Sequence, residues 1–339
     1  DATPYNIQWN KGKLVFIDTL SFEKYDETPW IAYRQFCESF LGPLLIMHYS
    51  KMALPQLLLG WPEGIPLPVI QSLLPGRSRF SFHTYLHIHL HAKISAGKKN
   101  VPASEKFSKQ KLLNLISSLE ILINKLKLTP QQTAWSDYYD EASQRKDYLE
   151  QKKKIIDNWI KELPGIKTAA DLGANEGEFS KLLASKNIEI IAADFDSYCI
   201  NKLYNEIKKK GDKNIQPLVL DISNPSPSIG VNNEERMSFI QRTKVDMVLA
   251  LAVIHHLAIG KNIPFSLIAE MFGSLSKYLI IEFIPKEDPK VKAIFLYKKD
   301  IYKDYNEQEF IRKFESIFIV SLKQKITGTN RTLFLMMRK

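Results

Sequence analysis

The chain has 339 residues, 45% of them apolar and 25% charged, the balance of an ordinary folded protein and not of a disordered, collagenous or coiled-coil one. That length exceeds what one hydrophobic core usually fills, so two domains are expected. Forty-seven Lys and Arg against 37 Asp and Glu give a formal net charge of +10, which favours acidic partners without naming one; nucleic acid is compatible with it, but charge alone supplies only the nonspecific phosphate attraction.

Residues 6–18 read as a hairpin: a strand at 7–9, the turn Asn10-Lys11-Gly12, then an apolar run at 14–17. Residues 29–95 mix Pro, Trp, Phe and Leu in short helical pieces with one strand expected among them. The most apolar stretch, 40–75, is interrupted by Lys51, Glu63 and six prolines, and so falls short of the roughly 20 apolar residues of a membrane span. Cys37 and Cys199 stand far apart without a CxxC pair, which predicts neither a disulfide framework nor a zinc knuckle. A cytoplasmic location is expected, with no signal peptide visible, although a leader lost before Asp1 would not show. His87, His89 and His91 alternate with Leu86, Ile88 and Leu90, as on a half-buried strand, with His83 nearby; with no Cys or acid among them, a metal is not expected. A polar loop follows over 96–102, and Ser104 is expected to cap an amphipathic helix to about Leu128, with Leu112, Ile116, Leu119 and Ile123 at helical spacing. This closes a mostly helical first domain, 1–128.

The second domain, 129–339, begins with a helical stretch from Thr129-Pro130 that carries Trp135, Tyr138, Tyr139, Tyr148, Ile155, Ile156, Trp159 and Ile160 and stops at Pro164-Gly165. Strands are then expected at 168–172, 188–193, 216–220, 245–251 and 278–284, with helices at 177–185, 197–209 and 263–274 and a long polar insert before the fourth strand. Such alternation implies a parallel sheet covered by helices on both faces. A helix at 307–315, strands at 316–324 and 332–337, and a turn at Gly328-Thr329-Asn330 predict an antiparallel hairpin closing that sheet.

The chemistry concentrates at the ends of the parallel strands. Residues 169–180 read as an apolar strand entering a glycine loop that opens a helix, where Gly173 and Gly177 let backbone approach a ligand closely. The next strand ends at Asp194, about 20 residues on, where a carboxylate can accept from ribose hydroxyls; Asp196 is the alternative. A third strand ends at Asp221-Ile222, placed to read an adenine edge or, equally, to make a turn or helix cap. The fourth strand runs through Ala250 into Ala252-Val253-Ile254-His255-His256.

On these motifs, residues 135–339 resemble the class I S-adenosylmethionine-dependent methyltransferases. The resemblance implies an α/β, Rossmann-like domain whose mostly parallel seven-stranded sheet ends in an antiparallel hairpin, preceded here by the smaller helical domain. It further implies that Asp171, Gly173, Asn175 and Gly177 cradle the methionine part of S-adenosylmethionine, that Asp194 holds the ribose, and that Asp221 and Ile222 hold the adenine, with Ala250 in the same cofactor set. Asn175 stands where many members carry a glycine. Phe283-Ile284-Pro285-Lys286 and the long insert are similar to the nodulation-protein-like methyltransferases of bacteria. His255 and His256 lie where the family places its acceptor-facing loop, and either is a candidate base; packing under the cofactor or capping a helix is the alternative for each. No N-P-P-Y or D-P-P-Y tetrad follows the fourth strand and no Pro-Cys nucleophile replaces it, so a small-molecule acceptor is expected ahead of nucleic acid. Glu282 is expected as an acceptor contact or an exposed rim residue, and Trp135, Tyr138 and Tyr139 as a lid or as packing.

Two other readings stay open. The domain binds S-adenosylmethionine without turning it over, as an interaction module; or the N-terminus carries a phosphotransferase fragment. For the latter, Asp1-Ala2-Thr3-Pro4-Tyr5-Asn6 and the hairpin ending at Asp18 resemble the catalytic loop and metal-binding aspartate of protein-kinase-like enzymes. That resemblance implies Asp1 as base and Asn6 and Asp18 as magnesium ligands, with Thr19-Leu20 departing from the usual Phe-Gly. It covers about 20 residues, and with no glycine-rich loop or ATP-anchoring lysine before Asp1 the expected role is a scaffold; a piece of a longer protein would read the same.

Overall fold

A computed structural model describes residues 1–50, 57–96, 106–127 and 146–339. The chain divides into two units, Asp1–Gln131 and Gln132–Lys339. The expected domain boundary at 128/129, the helix start at Thr129-Pro130, the aromatics Trp135, Tyr138 and Tyr139, the polar loop after Ala96 and the cap at Ser104 all lie outside the described residues.

The first unit opens with β1 (Ile7–Asn10) and β2 (Lys13–Phe16), antiparallel with Asn10 opposite Lys13. Lys11 and Gly12 both take positive φ, which gives the turn a twist matching the strands it joins. The rest is helical around Cys37, Leu41, Leu45, Ile65, Leu67, Ile70 and Ile88. The strand expected around the histidines is instead a run of helical turns, Phe82–Thr84, Tyr85–Leu90 and His91–Ala96. The reason is tertiary: His83 Nδ1 and His87 Nε2 share the Ser118 hydroxyl at 2.8 Å each, His87 Nδ1 meets Tyr33 Oη at 2.7 Å, and His89 meets Ser78 Oγ at 2.8 Å. These partners satisfy helical placements that alternation with aliphatics does not reveal. The following helix, Lys109–Lys125, is capped by Ser108, whose hydroxyl accepts from Lys111 N.

In the second unit, β3 (Thr168–Leu172), β4 (Glu189–Asp194), β5 (Ile215–Val219), β6 (Val245–Ala250), β7 (Ser276–Phe283), β8 (Phe318–Lys325) and β9 (Thr332–Arg338) form one sheet in the order β5-β4-β3-β6-β7-β9-β8. The first five strands are parallel, and β9 runs antiparallel to both β7 and β8. β3, β6 and β7 are almost continuously apolar and buried, as parallel strands covered on both faces must be. Pro217 is tolerated because β5 is an edge strand with one side free of ladder partners. The helices Phe265–Leu275 and Glu307–Phe314 contribute Ile268, Phe272, Phe310 and Phe314 to a core that also holds Val248, Leu279, Ile281 and Phe334. The chain steps outward from β3 to β4 to β5, then returns to place β6 on the other side of β3. That reversal opens a crevice at the carboxyl ends of the strands. Among the described residues, no helix is long and apolar enough to cross a membrane.

Candidate active site

Everything distinctive about the site begins where β3 ends. Gly173 and Gly177 have φ of +87° and +78°, a region costly for any residue with a Cβ. A Cβ on Gly173 would also lie 2.4 Å from Val253 Cγ2. Asn175 takes φ +50°, and asparagine is the side chain that visits this region most readily; its Oδ1 accepts from Glu176 N at 2.8 Å. The family's usual glycine is replaced here by a residue that supplies the same backbone and its own local hydrogen bond. Gly177 then stands at the start of the helix Glu178–Ala184, and the loop is held by its own amides: Gly173 N and Ala174 N donate to Ala193 O, and Gly177 N to Ala174 O.

The loop forms one wall of a cavity of about 330 Å³. Asp171, Gly173, Asn175, Asp194, Asp221, Ile222 and His256 all line it. Gly177, Ala250 and His255 do not: Gly177 packs against Leu203, and Ala250 is fully buried in the core. Asp171 accepts from Ser180 Oγ at 2.7 Å, and burial pushes its carboxyl up to about 6. Asp194 accepts from the amides of Asn175, at 2.8 Å, and Asp196, at 2.9 Å. Burial raises its carboxyl despite these bonds. Asp196 caps the helix Ser197–Lys210 through Tyr198 N and Cys199 N, and of the two it is Asp194 that lines the cavity. Asp221 makes the turn its sequence also allowed, accepting from Ser223 N and Oγ. Burial acts to raise its carboxyl, but Ser223 and Lys261 hold it below the ordinary value. Ala252, beside these groups in the cavity wall, has φ +56°, a strained conformation for alanine of the kind that collects at functional sites.

The two histidines separate. His256 lines the cavity, and burial, with Lys290 nearby, lowers its imidazole to about 4, so it is neutral at physiological pH. His255 is 1% exposed, and among the described residues neither ring nitrogen has a hydrogen-bond partner. Its burial, next to His256 and toward Arg331 and Lys290, holds it well below the usual imidazole range. The rings are 3.9 Å apart between centroids.

The ion cluster around Glu282 has no counterpart in the sequence reading. Glu282 is fully buried, which rules out the exposed rim position. It accepts from Tyr148 Oη and Lys152 Nζ, both at 2.6 Å. Arg331 Nη1 donates to Tyr148 Oη at 2.8 Å, and the same guanidinium takes Asp288 through Nε at 2.7 Å and Nη2 at 3.1 Å. Two buried cations thus meet two buried carboxylates around one phenol, with Tyr148 and Lys152 reaching the cavity wall from the helix Lys146–Glu162. Burial alone would raise Glu282, yet the charges of Lys152 and Arg331 keep it below the ordinary carboxylate value. Sequence offered one signal, a glutamate in an otherwise apolar strand, and no pointer to partners 130 and 134 positions away.

For the N-terminal motif, Asn6 Nδ2 donates to Asp18 Oδ2 at 3.3 Å, while Asp18 also accepts from Leu20 N and Ser21 Oγ. Asp1 Oδ1 accepts from Gln35 Nε2 at 3.4 Å. Among the described residues no three His, Cys, Asp or Glu side chains are grouped to hold a metal.

Five parallel strands with their reversal beside β3, an antiparallel pair closing one edge, and a glycine loop at the first carboxyl end make the second unit a Rossmann-like, class I methyltransferase fold. The chain belongs to the family of the nodulation protein NoeA of Rhizobium meliloti (strain 1021), with 33% identity over 348 aligned positions that take in 98% of this chain and 72% of the relative. No protein-family model matches it. Similar solved structures include the bifunctional kinase-methyltransferase WbdD, at 19% identity and a TM-score of 0.40 over 65% of this chain and 46% of WbdD, so the chain spans under half of that protein. Another is the magnesium protoporphyrin IX methyltransferase of Synechocystis PCC 6803 with bound SAH, at 17% identity and a TM-score of 0.42 over 62% and 90% of the two chains.

Proposed function

We propose that this protein transfers the methyl group of S-adenosylmethionine to a small-molecule acceptor in a reducing, cytoplasmic setting consistent with its two free, buried cysteines. The observation that carries the reading is the convergence of Asp171, Gly173, Asn175, Asp194, Asp221 and Ile222 on one cavity at the carboxyl ends of the strands. Their chemistry fits the cofactor. Asp194 keeps acceptor capacity on a carboxylate already oriented by two amides, suited to ribose hydroxyls. Asp221 and the apolar Ile222 suit an adenine edge and face, and the glycine loop leaves room for the methionine arm. Gly177 supports that loop from behind by packing on Leu203.

When bound, the cofactor supplies an already electrophilic methyl carbon. The protein's work is therefore to hold acceptor and methyl in line and exclude water. His256, neutral and in the cavity wall, is the residue placed to take a proton from an acceptor hydroxyl or amine. His255 and Ala250 sit behind that wall and support it.

The test is calorimetric titration of S-adenosylmethionine and S-adenosylhomocysteine into wild type and Asp194→Ala, with ATP and magnesium as a parallel titrant. Micromolar binding weakened by about tenfold or more is expected for the variant, equivalent to about 1.4 kcal/mol. Absence of both nucleosides from folded wild type sinks the reading; binding of ATP alone moves the phosphotransferase alternative ahead of it. Release of S-adenosylhomocysteine separates an enzyme from a module that only holds the cofactor.

A further inference from the structure

The chain leaves β7 at the carboxyl end of the parallel strands, the end that holds the cavity. Residues 284–305 form a strap there, closed on itself where Tyr305 Oη donates to Ile284 O at 2.7 Å. The strap is pinned to the turn at 259–262. Lys298 Nζ donates to Gly260 O at 3.2 Å and to Asn262 Oδ1 at 2.8 Å, and Tyr302 Oη to Ile259 O at 3.1 Å. Gly260 and Lys261 of that turn line the cavity, so the strap sits at the cavity's rim. From within, it is held by the fully buried Val291 and by Phe295 against Tyr302, their rings 6.1 Å apart between centroids.

This pinning spends Phe295, Lys298 and Tyr302 inward and turns their neighbours out. Leu296 is 77% exposed, Tyr297 94% and Ile301 67%. Exposed apolar residues that stand singly, as Leu267 and Ile319 do in the same unit, call for no explanation. Three within six positions of a segment fastened at both ends do. Their surroundings are basic: from Pro289 to Lys303 the sequence has five lysines and one acid, Asp300. Asp300 gives its two oxygens to Lys286, at 2.8 and 2.9 Å, while Lys292, Lys299 and Lys303 are exposed.

Aliphatic side chains held in water, a tyrosine between them and lysines around them fit the surface of an anionic bilayer. The aliphatics enter the acyl boundary, the tyrosine lies at headgroup level, and the ammoniums meet lipid phosphates. A protein interface is poor in lysine, and a nucleic acid gives Leu296 and Ile301 nothing to pack on. We propose that residues 289–303 are a membrane-docking element that sets the protein on an anionic lipid surface, with the rim of the cavity toward the lipid. The proposal goes beyond methyl transfer and stands or falls separately from it.

Co-sedimentation of the full chain with vesicles tests it, using phosphatidylcholine alone and an equal mixture of phosphatidylcholine and phosphatidylglycerol. One variant combines Leu296→Ser, Tyr297→Ser and Ile301→Ser; a second combines Lys292→Gln, Lys299→Gln and Lys303→Gln. Lys208→Gln with Lys209→Gln is the control, removing exposed charges at the far end of the helix Ser197–Lys210, away from the cavity. Wild type is expected to bind the mixed vesicles about tenfold or more tighter than phosphatidylcholine, and each strap variant to lose that margin. The control stays within about twofold of wild type. Every changed side chain is exposed, and the two strap variants probe one surface independently, so misfolding of one leaves the other decisive. A wild type that does not prefer anionic vesicles overturns the proposal. So does an apolar variant that binds them as wild type does, or a control that loses as much, since either assigns the attraction to net charge. A single-stranded oligonucleotide that displaces the vesicles and binds wild type and the apolar variant alike gives the surface to nucleic acid and overturns the proposal as well.

Discussion

Asp171 shows how one residue was legible in type and not in state. Its position at the end of an apolar strand before Gly173 marked it as part of the loop, but its protonation depends on burial that no local pattern carries. With its carboxyl pushed up to about 6 by burial, the folded chain keeps a proton that the unfolded chain releases near 4. Stability therefore falls as pH rises through that window, and the cost is fully present above it. Asp171→Asn, which can still accept from Ser180, is expected to stabilise the protein by up to about 3 kcal/mol near neutral pH, with the gain vanishing near pH 4. Thermal unfolding of both proteins across that range measures it; a gain independent of pH would mean that the carboxylate is not held in its neutral form. Gly173 is the opposite case, fully legible because a loop approaching a ligand needs a residue without a Cβ. Gly173→Ala forces φ +87° on alanine and drives its Cβ to 2.4 Å from Val253. A loss of about 1–3 kcal/mol in urea unfolding is expected, together with weaker nucleoside binding.

Among the elements, the parallel strands could be read to within a residue or two because burial on both faces leaves short, nearly continuous apolar runs, and the closing hairpin because its strands flank the turn at Gly328. The histidine segment was misread since alternation over six residues also fits a helix whose polar side chains find hydroxyls at Ser118, Ser78 and Tyr33. The ion cluster could not be read at all. Its members come from the helix Lys146–Glu162, from β7, from Asp288 at the cap of the helix Pro289–Phe295, and from Arg331 just before β9. It fastens these elements together at the cavity's edge, and removing one charge strands the others in the interior. Arg331→Met leaves Asp288 without its bidentate partner and Glu282 with Lys152 as its near cation. A loss of about 3–5 kcal/mol is expected, against less than about 1 kcal/mol for Lys323→Met, whose partner Glu307 is part-exposed. Chemical denaturation of the two variants side by side distinguishes a fastening role from ordinary surface pairing; similar small losses would remove it.

At the scale of the whole molecule, each unit has its own core. The cluster around Leu41, Leu45 and Ile70 lies entirely in the first, and that around Val248, Leu279 and Phe310 entirely in the second. Length had indicated two domains; the boundary expected at 128/129 lies outside the described residues. Among the described residues, every one that lines the cavity, from Tyr148 to Lys261, belongs to the second unit. Cofactor binding should then be a property of that unit by itself, and whatever distinguishes one acceptor from another need not be. Residues 132–339 expressed alone are expected to unfold cooperatively, as a domain with its own core does. They should bind S-adenosylhomocysteine within about threefold of the full chain, a difference under 1 kcal/mol. A fragment that folds and fails to bind would mean that the first unit shapes the cavity. A fragment that binds as expected and releases S-adenosylhomocysteine at the full chain's basal rate, with water as the acceptor, would locate the methyl-transfer machinery in the second unit.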